Sequence, residues 1–193
     1  MNEWTTPQNE VALRILKAAD ELMAREGMHN ISTHKIAKEA KVSVGTIYLY
    51  FKDKETLLNQ LVVFLFNTYQ KYMNQVYNPD LPLFEQYKIL WRSSLQFMRQ
   101  NPNVVTNCHQ YESLPSYRML MRECIDADDL VWNRFIRAGQ AQGIIINLEH
   151  HLLYALTMGV TWEIMRQQML LEQDYSDEVI DEIIARTWKA ITF

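Results

Sequence analysis

Between Ser32 and Leu58 the chain reads STHKIAKEAKVSVGTIYLYFKDKETLL, two short stripes of helical period with almost no room between them. Ile36, Ala37 and Ala40 form the first stripe; Ile47 and Phe51, four residues apart, form the second. Ser32 and Ser43 stand where N-caps belong, just before each run. The connection is Lys41-Val42, long enough only for the turn of a helix-turn-helix. Two helices cannot close a core alone. The periodic run Val11, Ile15, Ala18, Ala19, Leu22, Met23, ended by Gly27, supplies a third helix from Asn9 to Glu26. Ahead of it, the polar stretch from Met1 to Asn9 is expected to fray.

The string I-A-x-x-A-x-V-S-x-G-T-x-Y-x-Y-F-x-x-K-E-x-L, from Ile36 to Leu57, resembles the N-terminal DNA-binding segment of the TetR family of bacterial transcriptional regulators. One position departs from the pattern: the turn usually carries glycine, where this chain has Lys41. A left-handed backbone there would cost lysine about 1 kcal/mol relative to glycine.

Charge agrees with DNA contact at one end. The net charge is only −4, yet from His29 to Lys54 five lysines face two carboxylates. Residues 55–193 carry 11 basic and 16 acidic groups, so a basic head precedes an acidic body. A solvated helix face with lysines would look the same without the motif. At about 100° per residue, Ile47, Tyr50 and Phe51 point into the head's core. Gly45, Thr46, Tyr48 and Leu49 then lie on the side that a helix-turn-helix turns to the major groove, with Val44 at the start of the helix. Thr46 can bond a base edge or phosphate, and Leu49 can touch a thymine methyl. The resemblance implies that Tyr48 and Lys54 hold the DNA backbone and that Thr33 and His34 contact phosphate or bases; Lys41, where the chain departs from the pattern, places another cation near the DNA. So few cations per head imply two heads on one duplex, hence a homodimer on a palindromic operator of double-stranded DNA.

The remaining chain shows only helical patterns. They run from Asp53 to about Asn78, Pro82 to Gln100, Asn103 to Glu112 (a short helix or an irregular piece), Ser116 to Gln142, Asn147 to Glu172 and Ser176 to Phe193. The fold expected is all-α: a three-helix N-terminal helix-turn-helix head plus a larger C-terminal helical bundle, about nine helices in total. The expected boundary gives residues 1–54 to DNA binding and 55–193 to ligand binding and dimerisation.

Trp91, Phe97, Met98, Tyr111, Tyr117, Met121, Trp132, Phe135, Met158 and Trp162 crowd that body. Aromatic and methionine side chains line adaptable apolar pockets, although each would serve equally as plain core. The resemblance implies a small-molecule effector site among them. It also implies a two-fold dimer face on the last two helices, for which Leu156, Gly159, Val160, Ile180, Ile184 and Trp188 are candidates.

Other chemistry is not expected. Cys108-His109, Cys124 and His150-His151 match no zinc spacing, so neither metal nor cofactor is called for. Glu123, Asp126, Asp128 and Asp129 read as a solvated helix face, and no catalytic constellation stands out, so the chain is not read as an enzyme. Two cysteines, no secretory leader pattern and no long apolar run point to a cytoplasmic protein without a membrane span. The rival reading is an all-α small-molecule-binding protein or enzyme whose helix-turn-helix no longer serves DNA.

Overall fold

The computed structural model describes residues 9–125 and 127–193. The N-terminal stretch expected to fray, apart from Asn9, and Asp126 of the acidic run lie outside them. Twelve helical segments are present among the described residues. They fall into two compact units. Unit 1 takes the chain up to Thr68 together with Thr106–Arg122; unit 2 takes Tyr69–Val105 and Glu123–Phe193.

Unit 1 is built on α1 (Glu10–Glu26), α2 (Thr33–Glu39), α3 (Val44–Tyr50) and the start of α4 (Lys54–Val76). Asn9 caps α1 by accepting the Val11 N–H at 2.8 Å. Ile15, Leu16 and Met23 of α1 bury fully against Ile36 of α2, Ile47 of α3, Phe51, and Leu57 and Leu61 of α4. Asp53 caps α4, its Oδ1 taking the Thr56 N–H at 2.7 Å, and that bond holds its carboxyl below the usual range. The core continues through Tyr111, Leu114 and Leu120, so packing around the head reaches well beyond residue 54.

Those three residues come from α7 (Cys108–Glu112), the turn after it and α8 (Pro115–Cys124), which follow α5 (Leu83–Gln100) and α6 (Pro102–Thr106) in the chain. Buried polar bonds tie them down. Asn59 of α4 accepts the Ser116 N–H at 2.9 Å, and the Tyr111 hydroxyl donates to the Asp20 carboxylate of α1.

Unit 2 packs α5 against α9 (Val131–Ala141), α10 (His150–Leu156), α11 (Met158–Leu171) and α12 (Asp177–Lys189). Its centre is aromatic. Tyr87 and Trp188 stand 5.2 Å apart between ring centres, and Phe135 lies 6.1 Å from Tyr87. The Tyr87 hydroxyl reaches Thr187 at 2.8 Å, leaving its polar tip satisfied inside the core. On the surface Arg92 of α5 spans two carboxylates one turn apart on α12, Asp177 at 3.0 Å and Asp181 at 2.6 Å.

Three expected helices are each two. Residues 103–112 divide into α6 and α7 at Asn107, whose buried side chain turns to α1. The run expected from Ser116 to Gln142 breaks after Cys124, where a stretch rich in Asp has poor helix propensity. Asn133, buried in α9, donates to the Cys124 and Ala127 carbonyls at 2.8 and 2.9 Å and so secures the gap. Asp128 and Asp129 therefore lie in this exposed turn, not on a helix face. The run expected from Asn147 starts at His150 and breaks at Thr157, where φ is −132° and ψ is −83°. The Thr157 hydroxyl bonds back to the Leu153 carbonyl at 2.5 Å, a backbone-directed bond that competes with the helix.

Candidate nucleic-acid interface

Both serine caps form as the sequence indicates. Ser32 Oγ accepts the Lys35 N–H at 3.3 Å, and Ser43 Oγ accepts the Thr46 N–H at 3.0 Å. The turn between them is closed by two bonds: Val42 N–H to the Ala37 carbonyl at 2.9 Å, and Lys41 N–H to the Lys38 carbonyl at 3.2 Å. This pair is a Schellman ending, and it needs a left-handed residue at Lys41, whose φ is 54°. Lysine thus occupies the conformation that glycine adopts without penalty.

The two faces of α3 differ sharply. Ile47 is fully buried, while Tyr48 is 52% and Leu49 81% exposed. Gly45 is exposed as well. Tyr50 is 36% exposed, contrary to its expected place in the core; its ring leans against Phe51 with centres 6.4 Å apart. The helix ends there, so the wheel that put Tyr50 beside Phe51 stops applying. Thr46 is half-buried and its hydroxyl sits 2.8 Å from Ser43 Oγ. Val44 is half-buried against the head's core and gives little surface to a partner. Thr33 is half-exposed at the start of α2, with His34 exposed beside it. Among the described residues the ammonium groups of Lys38 and Lys41 have no hydrogen bond or ion pair, whereas Lys35 is held by Glu26 at 2.6 Å.

Lys54 is placed differently from the expectation. Its ammonium donates to the Met28 carbonyl at 3.0 Å and the Ile31 carbonyl at 2.7 Å, so two of its three protons are used inside the head.

Comparison with known proteins bears on what this head serves. Residues 15–61 match the family described as bacterial regulatory proteins, tetR family, and residues 82–192 match the tetracyclin repressor-like C-terminal domain. An uncharacterized HTH-type transcriptional regulator of Haemophilus influenzae is 33% identical over 184 residues, which is 95% of this chain and 97% of that protein. The chain belongs to the TetR family. The crystal structure of a TetR-family transcriptional regulator from Haemophilus influenzae superposes with a TM-score of 0.88 at 32% identity, covering 95% of this chain and 97% of that one. The transcriptional regulator FadR from Bacillus subtilis, in complex with stearoyl-CoA, shares the fold with a TM-score of 0.76 at 20% identity, over 93% of this chain and 98% of that one. α2 and α3 are accordingly the DNA-binding helix-turn-helix of a TetR-family transcriptional regulator.

The candidate effector residues of this TetR-family chain do not form one group. Tyr111 is buried in unit 1, and Tyr117 packs against the same core. Met121 is 39% exposed and lines no interior. In unit 2 Trp91, Met98, Phe135 and Met158 are buried together, with Trp132 and Trp162 half-buried at their edge. Phe97 instead meets Tyr69 and Tyr72, at 5.1 and 5.6 Å between ring centres.

The candidate dimer residues divide as well. Leu156 is 46% exposed, and Gly159 and Val160 are half-exposed. Ile180 and Ile184 are buried inside the protomer; Trp188 is half-buried against Tyr87, Phe84 and Phe135. Their helical spacing signalled an apolar stripe, which this chain covers by itself with α5 and α9. Exposed apolar surface lies instead at Leu152, Leu170, Leu171 and Val179.

Sequence reading missed the polar residues of unit 1. Asn107 Nδ2 donates to both the backbone carbonyl and the carboxylate of Asp20, at 3.0 and 2.9 Å. Burial, and then Asp20, push the Tyr111 hydroxyl well above its ordinary pKa, so it stays a proton donor. Partners 87 to 91 residues apart leave no local pattern to find.

Proposed function

We propose that this regulator is a cytoplasmic homodimeric repressor that leaves a palindromic operator when a small apolar or aromatic ligand enters its C-terminal body. In this reading the first 54 residues contact DNA. Residues 55–193 meet the effector and the second copy. Thr33, His34, Lys41, Gly45, Thr46, Tyr48 and Leu49 carry the DNA contacts.

The supporting observation is the outer face of α3. A leucine 81% exposed beside a tyrosine 52% exposed presents apolar surface with no covering inside the protomer. Gly45 adds to it. A Cβ there would meet only Ser43 Oγ, at an ordinary 3.6 Å, so nothing within the chain requires glycine. The missing side chain serves an outside partner, by letting the backbone come close to DNA. Lys41 and Lys38, which meet no carboxylate among the described residues, supply charge for phosphates.

For the effector, Met98 and Met158 give unit 2 a core that can repack around an apolar guest. The fold neighbour solved with stearoyl-CoA fits an apolar ligand of this kind. For the second copy, Leu152 and Leu156, 46% exposed and one turn apart on α10, supply the apolar seam. No helix of the described residues is long and apolar enough to cross a membrane.

The test selects duplexes from random sequence with the purified chain. A short palindrome should emerge, and Tyr48→Ala should weaken binding to it by about tenfold with an unchanged melting temperature. Equal affinity of the variant and the parent would refute the assignment.

A further inference from the structure

Between Gly27 and Ser32 a short turn links α1 to α2, and Met28 in it is held through both its N–H and its carbonyl. The Met28 N–H donates to Gln110 Oε1 at 2.5 Å, and the Met28 carbonyl accepts Lys54 Nζ at 3.0 Å. Gln110 belongs to α7, 82 residues away in sequence, while Lys54 opens α4. The other side of Gln110 is equally committed. Its Nε2 donates to Asn107 Oδ1 at 2.9 Å and to the Met23 carbonyl at 3.3 Å. Asn107 in turn holds Asp20.

We propose that Gln110 is a positioning residue for DNA reading, acting through the backbone of Met28 on Lys54 and on the start of α2. The inference rests on the α2–α3 face docking on DNA. Three observations carry it. Met28 is bonded through both its N–H and its carbonyl, on either side of its Cα, so Gln110 and Lys54 together fix the two peptide planes that meet at this residue. Lys54 continues past Met28 to the Ile31 carbonyl at 2.7 Å, one residue before the Ser32 cap of α2. The relay therefore fixes the first turn of α2, where Thr33 and His34 stand, and the first turn of α4. These two ends flank α3, so they set how α3 is presented. Lys54, spent on carbonyls, contributes mainly by geometry.

The chain makes this connection by an excursion. It leaves unit 2 after Val105, delivers Gln110 to unit 1, and returns at Glu123. The local helical period of α7 places no such demand on position 110.

A double-mutant cycle on the full chain tests the relay, using the duplex that the parent selects from random sequence and fluorescence anisotropy well below every variant's melting transition. Gln110→Met and Lys54→Met should each weaken binding about tenfold, and the double variant should also lose about tenfold rather than a hundredfold, because both cut one path. Gln110→Glu keeps an oxygen for the Met28 N–H but turns its other oxygen on the Asn107 Oδ1 and the Met23 carbonyl, which Nε2 now serves, so it should lose as much as Gln110→Met. A hundredfold loss in the double variant or parental affinity for Gln110→Met would overturn the proposal. Should Gln110→Met fail to fold, Gln110→Glu takes its place in the cycle with Lys54→Met: a double variant that loses no more than either single change supports the relay, and additive losses overturn it. A parent that selects no duplex overturns the DNA-reading function itself, and this inference with it.

Discussion

Asn107 grips Asp20 twice, donating from one nitrogen to its carboxylate at 2.9 Å and to its backbone carbonyl at 3.0 Å. Asn107 is fully buried and Asp20 nearly so. Replacing Asn107 by leucine removes both bonds and the Gln110 contact, and leaves a carboxylate in a dry site with fewer donors. The expected loss is about 1–3 kcal/mol of stability, read as a lower urea midpoint. A midpoint equal to the parent's would show that Asp20 is satisfied without Asn107.

Lys41 holds a left-handed backbone at φ 54°. Lys41→Gly removes the steric penalty and should raise the stability of unit 1 by up to about 1 kcal/mol, less the extra freedom glycine has when unfolded. The same change deletes a cation beside α3. Operator affinity should fall at low salt, and the slope of log affinity against log salt should drop by about one. A stabilised variant with an unchanged slope would remove Lys41 from the DNA contacts.

Ile184 and Leu156 separate core from interface. Ile184 is fully buried within the protomer, so Ile184→Ala should cost about 2–5 kcal/mol in unfolding without altering any dimer constant. Leu156 is 46% exposed, so Leu156→Glu should yield a folded monomer in sedimentation. A dimeric Leu156→Glu variant would place the seam elsewhere.

Cys108 and Cys124 are both pushed up to about 11, burial being the larger cause, with Glu112 acting on the first and Glu123 on the second. Raised pKa values keep these groups neutral through the physiological range, so the reactive thiolate is scarce. A native chain at pH 8 should react with a thiol reagent many times more slowly than the urea-unfolded chain. The gap should narrow as pH approaches 11. Equal rates at pH 8 would mean that neither thiol is shielded.

How far the sequence could be read depended on the range of the interactions. Ser32, Ser43, Asn9 and Ser176 cap helices through bonds spanning two or three residues, and each is visible as a local pattern. Ile47 against Leu49 follows from helical period alone. Lys54 could not be placed that way, because its partners are carbonyls 23 and 26 residues back and no side-chain type marks them. Ile180 and Ile184 show the limit of apolar stripes: period reveals that a face is covered, but not whether the cover is the same chain or a second one. The breaks after Cys124 and at Thr157 depend on Asn133 and on the Thr157 hydroxyl, polar groups that a hydrophobic period does not register.

The break at Thr157 makes α10 and α11 separate cooperative segments. An unbroken helix there would fray only from its ends, since every interior turn is held by its neighbours. With the ladder interrupted at Thr157, seven-residue α10 is expected to open separately from fourteen-residue α11. Amide exchange faster along α10 than along α11 would show it, and would put that opening beside the leucines left bare on α10.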